Sequence, residues 1–440
     1  MLPLLKVEEE LKSPSSHFFS LLTSTINQWR KNHHYNPTSK KPTTPFSLSL
    51  TSFLFLSLLC FASLLLAFSL FPFSSPSSQT HQFHPSSEPC DFTDGNWVYD
   101  PTVRSVRYDH TCKEIFKGWN CILNNKSNAF EISKWRWKPR NCDLPPFDAR
   151  RFLERFRDTS IGFIGDSLNR NMFVSLFCML RQVSSDVKKW HPAKADRGFT
   201  FLQYNLTIAY HRSNLLARYG RWSPNTNGGA LESLGYNDGY RVDIDVPDGK
   251  WAEAPRFHDV VIINTGHWWW APSKFDPVKS PMLFFEKGMP ILPPVAPDAG
   301  LDMVLKQMIS YVESKMRPGA IRIFRTQSPR HFEGGDWDHG GSCPRSKPLL
   351  SQEVEELFNV ENNGTNVETR LVNHHLYKTL KGSSFYVLNI THMSEYRADA
   401  HPSKAGGKRH DDCMHWCLPG ITDTWNDLFA AYLNFVKDHS

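Results

Sequence analysis

The apolar positions along the 440-residue chain fall into distinct regimes. Residues 1–45 scatter them among Ser, Thr, Pro and charged residues, a composition too polar for a packed core. Residues 46–73, FSLSLTSFLFLSLLCFASLLLAFSLFPF, carry no charge and exceed the roughly 20 residues that cross a bilayer. A Ser/Pro/His-rich stem at 74–89 and a Cys- and Trp-rich segment at 90–142 follow. From about residue 147 the pattern is α/β. TSIGFIGDS, HDVVIINTG, AIRIFRTQSP and SFYVLNITHM are short apolar runs, as strands buried on both faces require. Residues 168–183 and 301–316 repeat apolar side chains at helical spacing. Strands alternating with helices predict a mostly parallel sheet with covered faces over 143–440. Residues 198–246 read as an insertion of extended segments and loops.

Charge orients this arrangement. Lys6, Lys12, Arg30, Lys31, Lys40 and Lys41 precede the apolar stretch. After it no Lys or Arg occurs before Arg104, while Glu88, Asp91 and Asp94 are acidic. Positive flanks stay in the cytosol, so 1–45 is expected to be a cytosolic tail and 46–73 a type II signal anchor. The stretch begins too far from Met1, and is too long, for a cleaved signal peptide. Everything beyond it is then lumenal or extracellular. The net charge of +6 comes without long basic runs, which argues against nucleic acid. Fourteen Trp and thirty-one Phe supply flat faces on which sugar rings stack, although the apolar stretch and the core take a share.

Compartment changes the reading of the cysteines. Cys60 lies within the apolar stretch, and eight remain on the oxidising side, an even number suited to disulfides. Sequons at Asn125, Asn205, Asn363 and Asn389 fit that side.

In GFIGDSLNRN, Ser167 follows a strand and precedes a helix, so its hydroxyl lies at the carboxyl end of the sheet near helix N–H groups. A serine there also suits a helix N-cap. A nucleophile needs a base and the base a carboxylate. DDCMHWC, 411–417, offers His415 and, three residues before it, Asp412. Cys413, His415 and Cys417 could instead bind zinc, but only as free thiolates. In NTGHWWW, Asn264 is placed to donate to an oxyanion beside the Ser167 N–H, or to cap its strand. RTQSPRHFEGGDW adds Arg and His suited to a sugar-lined cleft. KAGGKRH lacks the spacing of a phosphate loop, so nucleotide binding is rejected.

GDSLNRN, NTGHWW, RTQSPRHF and DCMHWCLPGITDTWN together resemble the plant trichome-birefringence-like family of polysaccharide O-acetyltransferases. The resemblance implies a GDSL/SGNH-hydrolase-like sheet flanked by helices, with the Cys-rich segment packed on it. It implies a Golgi-membrane enzyme that acetylates hydroxyls of a wall polysaccharide such as xylan or pectin. Ser167 would be the nucleophile, His415 the base and Asp412 its partner, with the Ser167 N–H and Asn264 as oxyanion donors. Substrate contacts would come from Arg170, Trp268, Trp269, Arg325 and His331. Partly on the same resemblance, the expected disulfides are Cys90–Cys142, Cys112–Cys178, Cys121–Cys417 and Cys343–Cys413. No bound cofactor or metal is expected. The acetyl donor is a co-substrate, acetyl-CoA or a lumenal carrier, and a multispanning membrane protein is a candidate supplier. A carbohydrate acetylesterase with the same triad, or a non-catalytic polysaccharide-binding protein, remain as alternatives.

The orientation makes a direct prediction. Protease added to sealed microsomes should trim only the N-terminal tail; digestion of the C-terminal part in intact vesicles would contradict it.

Overall fold

A computed structural model describes residues 90–440, apart from 103–106, 272–273, 362–363, 365, 406, 408 and 440. The expected tail, anchor and stem, and the sequon at Asn363, lie outside the described residues. Among those described, no helix is long and apolar enough to cross a membrane. Asn125 and Asn205 are exposed, and Asn389 is half-buried.

The Cys-rich segment forms an antiparallel hairpin, β1 (Gly95–Tyr99) with β2 (Trp135–Pro139). Helix α1 (Ala149–Arg155) leads into β3 (Ser160–Gly165) and α2 (Ser167–Arg181). There follow β4 (Val187–Trp190), β5 (Arg197–Phe201), β6 (Leu206–Arg212), β7 (Ala217–Trp222), β8 (Gly239–Pro247) and β9 (Val260–Ile263). Then come β10 (Met282–Glu286), β11 (Met289–Pro290), α3 (Pro297–Lys315), β12 (Ile321–Arg325) and α4 (Ser351–Phe358). The chain closes with α5 (Glu368–Leu380), β13 (Tyr386–Leu388) and α6 (Ile421–His439); shorter helical turns are left unlabelled.

The main sheet has the order β13-β12-β9-β3-β6-β5-β4. Its first five strands are parallel, β5 runs antiparallel to β6, and β4 runs antiparallel to β5. The four apolar runs expected as strands are β3, β9, β12 and β13, side by side. Helix α2 coincides with its expected span, and α3 starts four residues earlier than expected because Pro297 suits the first helical turn. The reading of 198–246 as an insertion is corrected. Its first part, as β5 and β6, lies in the main sheet, and its remainder, as β7 and β8, joins β10 and β11 in a second sheet. Strands this short, separated by polar turns such as QYN, look like loops until their distant partner β3 is known.

Both faces of the main sheet are covered. From β3, Ile161 and Phe163 enter a core shared with α2, α6, Trp119 and Trp137, and Ile164 faces the opposite core with α3, α5 and the second sheet. Phe163 is fully buried between Phe173 and Phe429. The disulfides Cys90–Cys142, Cys112–Cys178, Cys121–Cys417 and Cys343–Cys413 match the expected pairs. Closing loops of 52 to 296 residues, each contributes on the order of 2–5 kcal/mol.

A buried polar chain crosses the sheet. The Ser160 hydroxyl lies 2.7 Å from His258 Nδ1, His258 Nε2 lies 2.9 Å from His211 Nε2, and His211 Nδ1 donates to the Lys250 carbonyl at 3.1 Å. Every bond closes with both rings neutral: Ser160 donates to His258, His258 to His211, and His211 to the carbonyl. Gly162 makes room for this, since a Cβ there would meet the His258 ring at 2.4 Å. Burial pushes His211 down to about 4 and His258 well below its ordinary value. An unfolded histidine titrates near 6.5, so between about pH 6.5 and 4 the unfolded chain takes up protons that the native rings refuse. Stability should therefore fall by about 3 kcal/mol through His211 alone as pH drops across that window. In urea titrations of residues 90–440 at several pH values, His211→Asn should be weaker at pH 7 yet lose stability less steeply on acidification, by about one proton. An unchanged slope would refute the neutral pair.

Candidate active site

The GDS turn is built from backbone constraints. Gly165 has φ +142°, and a Cβ there would lie 2.1 Å from Asn264 Oδ1, so only glycine fits. Asp166, and not Ser167, is the N-cap of α2, its Oδ1 accepting from the Leu168 N–H at 2.9 Å. Ser167 is thereby freed to be the first helical residue, half-exposed at the carboxyl end of β3. Its own N–H has no partner among the described residues.

The far end of the chain meets this turn. Ser167 Oγ lies 2.8 Å from His415 Nε2. On the other side of the ring, His415 Nδ1 lies 3.0 and 3.1 Å from the two Asp412 oxygens. A carboxylate can only accept, so Nδ1 carries the ring proton and Nε2 presents a lone pair to the hydroxyl. The His415 backbone N–H also donates to Asp412 Oδ1 at 3.0 Å, closing the local turn that the spacing of three suggests. The structure thus brings Ser167, His415 and Asp412 into one relay. Cys413 and Cys417 are both in disulfides, so neither offers a thiolate to zinc. The neighbouring group Cys343, Asp411 and Cys413 has ligand-like spacing, but two of its three members form that same bridge.

Four further groups hold the His415 loop. Asn171 lies one turn beyond Ser167. Its carboxamide accepts from the Trp416 N–H at 2.8 Å and donates to the Trp416 carbonyl at 3.3 Å. The helix that carries Ser167 therefore grips the residue after His415. His401 Nδ1 donates to the His415 carbonyl at 2.7 Å, while its ring stacks on Trp416 at 4.0 Å. The Trp119 carbonyl accepts from the Leu418 N–H at 2.8 Å. The Trp119 indole lies against the His415 imidazole, with centroids 5.2 Å apart and planes 30° apart. Sequence reasoning missed Asn171, Trp119 and His401. The only available signal was Asn171 within GDSLNRN, four positions from Ser167.

Several expected contacts are relocated. Asn264 is fully buried, and its carboxamide engages Asp166 twice: Nδ2 donates to Oδ1 at 2.9 Å, and Oδ1 accepts from the backbone N–H at 3.2 Å. Arg325, His331 and Trp269 are corrections, being too deeply buried to touch a polysaccharide. Arg325 is fully buried and donates to Asn169 Oδ1 at 2.9 Å and to the Thr326 carbonyl at 2.8 Å. His331 lies between His401 and the Glu395 carbonyl. Trp269 stacks on Phe284 and donates to Thr265. Arg170 and Trp268 keep part of their surface exposed.

Comparison with known proteins agrees with this geometry. Residues 144–432 match the PC-Esterase family, described as a GDSL/SGNH-like acyl-esterase family found in Pmr5 and Cas1p. Residues 88–143 match the PMR5 N-terminal domain. Protein trichome birefringence-like 13 of Arabidopsis thaliana is 67% identical over 396 residues, covering 87% of this chain and 96% of that protein. Trichome birefringence-like 12 of the same plant is 42% identical over 354 residues, 79% of this chain and 86% of the relative. Its xyloglucan O-acetyltransferase 1 is 31% identical over 389 residues, 83% of this chain and 86% of that enzyme. With a GDSL-type turn facing a C-terminal Asp–His pair, and both family regions matched in order, this chain belongs to the trichome-birefringence-like family of GDSL/SGNH-like acyl-esterase-domain proteins.

Proposed function

We propose that this protein is an O-acetyltransferase that esterifies hydroxyls of a plant cell-wall polysaccharide through an acetyl-serine. The observation that carries the reading is the Asp412–His415–Ser167 relay, with hydrogen-bond distances at both joints of the imidazole. The likeness to a xyloglucan O-acetyltransferase supports transfer to a sugar as the outcome.

In the first half-reaction His415 Nε2 takes the Ser167 proton as Oγ attacks the acetyl carbonyl carbon of the donor. The imidazolium then returns that proton to the departing group. In the second, a sugar hydroxyl gives its proton to Nε2 and its oxygen attacks the acetyl-serine. Ser167 leaves with the proton restored. Each tetrahedral oxyanion would be met by the unpartnered Ser167 N–H, while Asn264, fully buried against Asp166, holds the turn that presents it. Losing one such donor costs about 2.7–4 kcal/mol. Asp412 holds the Nδ1 tautomer and faces the imidazolium with negative charge. The Trp119 ring lies against the same imidazole, with centroids 5.2 Å apart, and helps fix its orientation.

The acetyl donor is acetyl-CoA or a lumenal carrier. The setting that fits is the Golgi membrane, with the catalytic part lumenal. The charge asymmetry around residues 46–73 and four disulfides support that placement.

The purified protein, given an acetyl donor and deacetylated oligosaccharides, should add mass increments of one acetyl. Ser167→Ala and His415→Ala should abolish this while folding normally, and Asp412→Asn should lose about 10³–10⁴-fold. Near wild-type transfer by Ser167→Ala would end the acetyl-serine mechanism. Trp119→Leu should lower kcat, with Phe intermediate, because the imidazole loses the ring it packs against. Wild-type kcat in Trp119→Leu would remove that role.

A further inference from the structure

Among the described residues, one cation beside the triad forms no ion pair. Arg170 lies three residues after Ser167 in α2, so the two side chains leave the same helical face. Its guanidinium rests 5.3 Å from the Trp119 ring centroid and 5.7 Å from that of Phe116, and Trp119 itself lies against His415. No hydrogen bond or ion pair engages the guanidinium among the described residues.

Asp196, the carboxylate whose charge reaches Arg170, and Glu114, which pairs with its neighbour Arg197, are committed elsewhere. Glu114 pairs with Lys189 and Arg197. Asp196 accepts from Lys250 Nζ at 3.3 Å and from the Arg212 backbone N–H at 2.7 Å. Arg197 and Arg212 oppose the positive charge of Arg170, while Asp196 and Tyr210 favour it. Glu114 and Asp196 are thus engaged by Lys189, Arg197 and Lys250 and by the Arg212 backbone, and neither forms an ion pair with Arg170. Burial lowers the Arg170 pKa from its usual value, and among the described residues no hydrogen bond or ion pair to the guanidinium offsets that partial dehydration. A guanidinium stays charged under such conditions and presents a planar fork matched to carboxylate or phosphate oxygens. Beside it Phe116 is 49% exposed, enough free ring face for a sugar to stack on.

We propose that Arg170, backed by Phe116 and Trp119, is a subsite for an anionic oxygen group of a substrate bound at Ser167. The shared chemistry is a planar or tetrahedral oxyanion. Its source is either a uronate of the acceptor chain or the phosphates of a coenzyme-type acetyl donor. The proposal deepens the acetyl-transfer reading and rests on it for the substrate classes. It is testable without turnover.

Titrations of full-length Ser167→Ala protein, with and without Arg170→Gln, provide the test. One arm compares trigalacturonate with xylotriose, and the other coenzyme A with pantetheine. In one arm the anionic ligand should bind at least tenfold more tightly than its neutral counterpart. Arg170→Gln should erase that preference, Arg170→Lys should keep part of it, and added salt should erode it only where the cation remains. A preference confined to the first arm assigns the subsite to the acceptor, and one confined to the second assigns it to the donor. No preference in either arm, or one that survives Arg170→Gln, overturns the subsite. An absence of acetyl incorporation by the Ser167 enzyme would instead overturn the transferase reading and leave the binding result standing.

Discussion

Everything at this site depends on holding an irregular loop, 411–418, against the first turn of a helix that lies 248 residues away in sequence. Ordering such a loop costs about 1–2 kcal/mol per residue, and one hydrogen bond returns only about 1 kcal/mol. A base must nevertheless keep its geometry to within about 0.5 Å. The fold answers with many ties. Asn171 grips Trp416 from the nucleophile's own helix, His401 holds the His415 carbonyl, and disulfides fix residues two positions to either side of the imidazole. No single tie would suffice, which explains why so many polar side chains near the site are structural.

Beneath the GDS turn the interior is polar where an apolar core would pack more easily. Asn169 donates to the carbonyls of Ile164 and Ile262 at 2.8 and 3.0 Å and accepts from Arg325, so one carboxamide joins the ends of three neighbouring strands. Asn264 does the same for the Asp166 turn. Burial pushes Arg325 down to about 10, with the Asp166 carboxylate opposing the shift, so it remains a cation at neutral pH. Buried polar groups of this kind cost free energy unless their partners are in place. They favour one strand register over the alternatives because any slip leaves them unsatisfied.

The parts legible in the sequence were those encoded locally. Runs such as IGFIG and VVII are apolar throughout because both faces of their strands are covered, and they became the adjacent strands β3 and β9. Asp412 and His415 are close in sequence, so a single turn joins them. Parts encoded by distant pairing were not legible. β5 and β6 looked like an insertion because the pairing that ties them to the sheet, β6 with β3, reaches back across a helix and β4. Arg325 and His331 looked like ligands because residue type alone does not distinguish a buried network from an open cleft. Trp119 was missed for the same reason: nothing in FKGWNC says that its ring will face a histidine nearly three hundred residues later.

That last contact bears on what the Cys-rich segment is. A separate binding module would have its own core and a linker, with few contacts across the boundary. Here Tyr108, Trp119 and Trp137 belong to the same apolar core as Phe163 and Phe429 of the α/β part. Trp97 donates its indole N–H to the Met393 carbonyl and lies under Arg397, whose guanidinium pairs with Asp399 in the interior. Two of the four disulfides cross the boundary, one to the nucleophile's helix and one to the base's loop. The segment also supplies an aromatic wall to the imidazole. Its sequence is therefore constrained by the packing around Ser167 and His415 as much as by its own folding, and the two family regions pack here around one core.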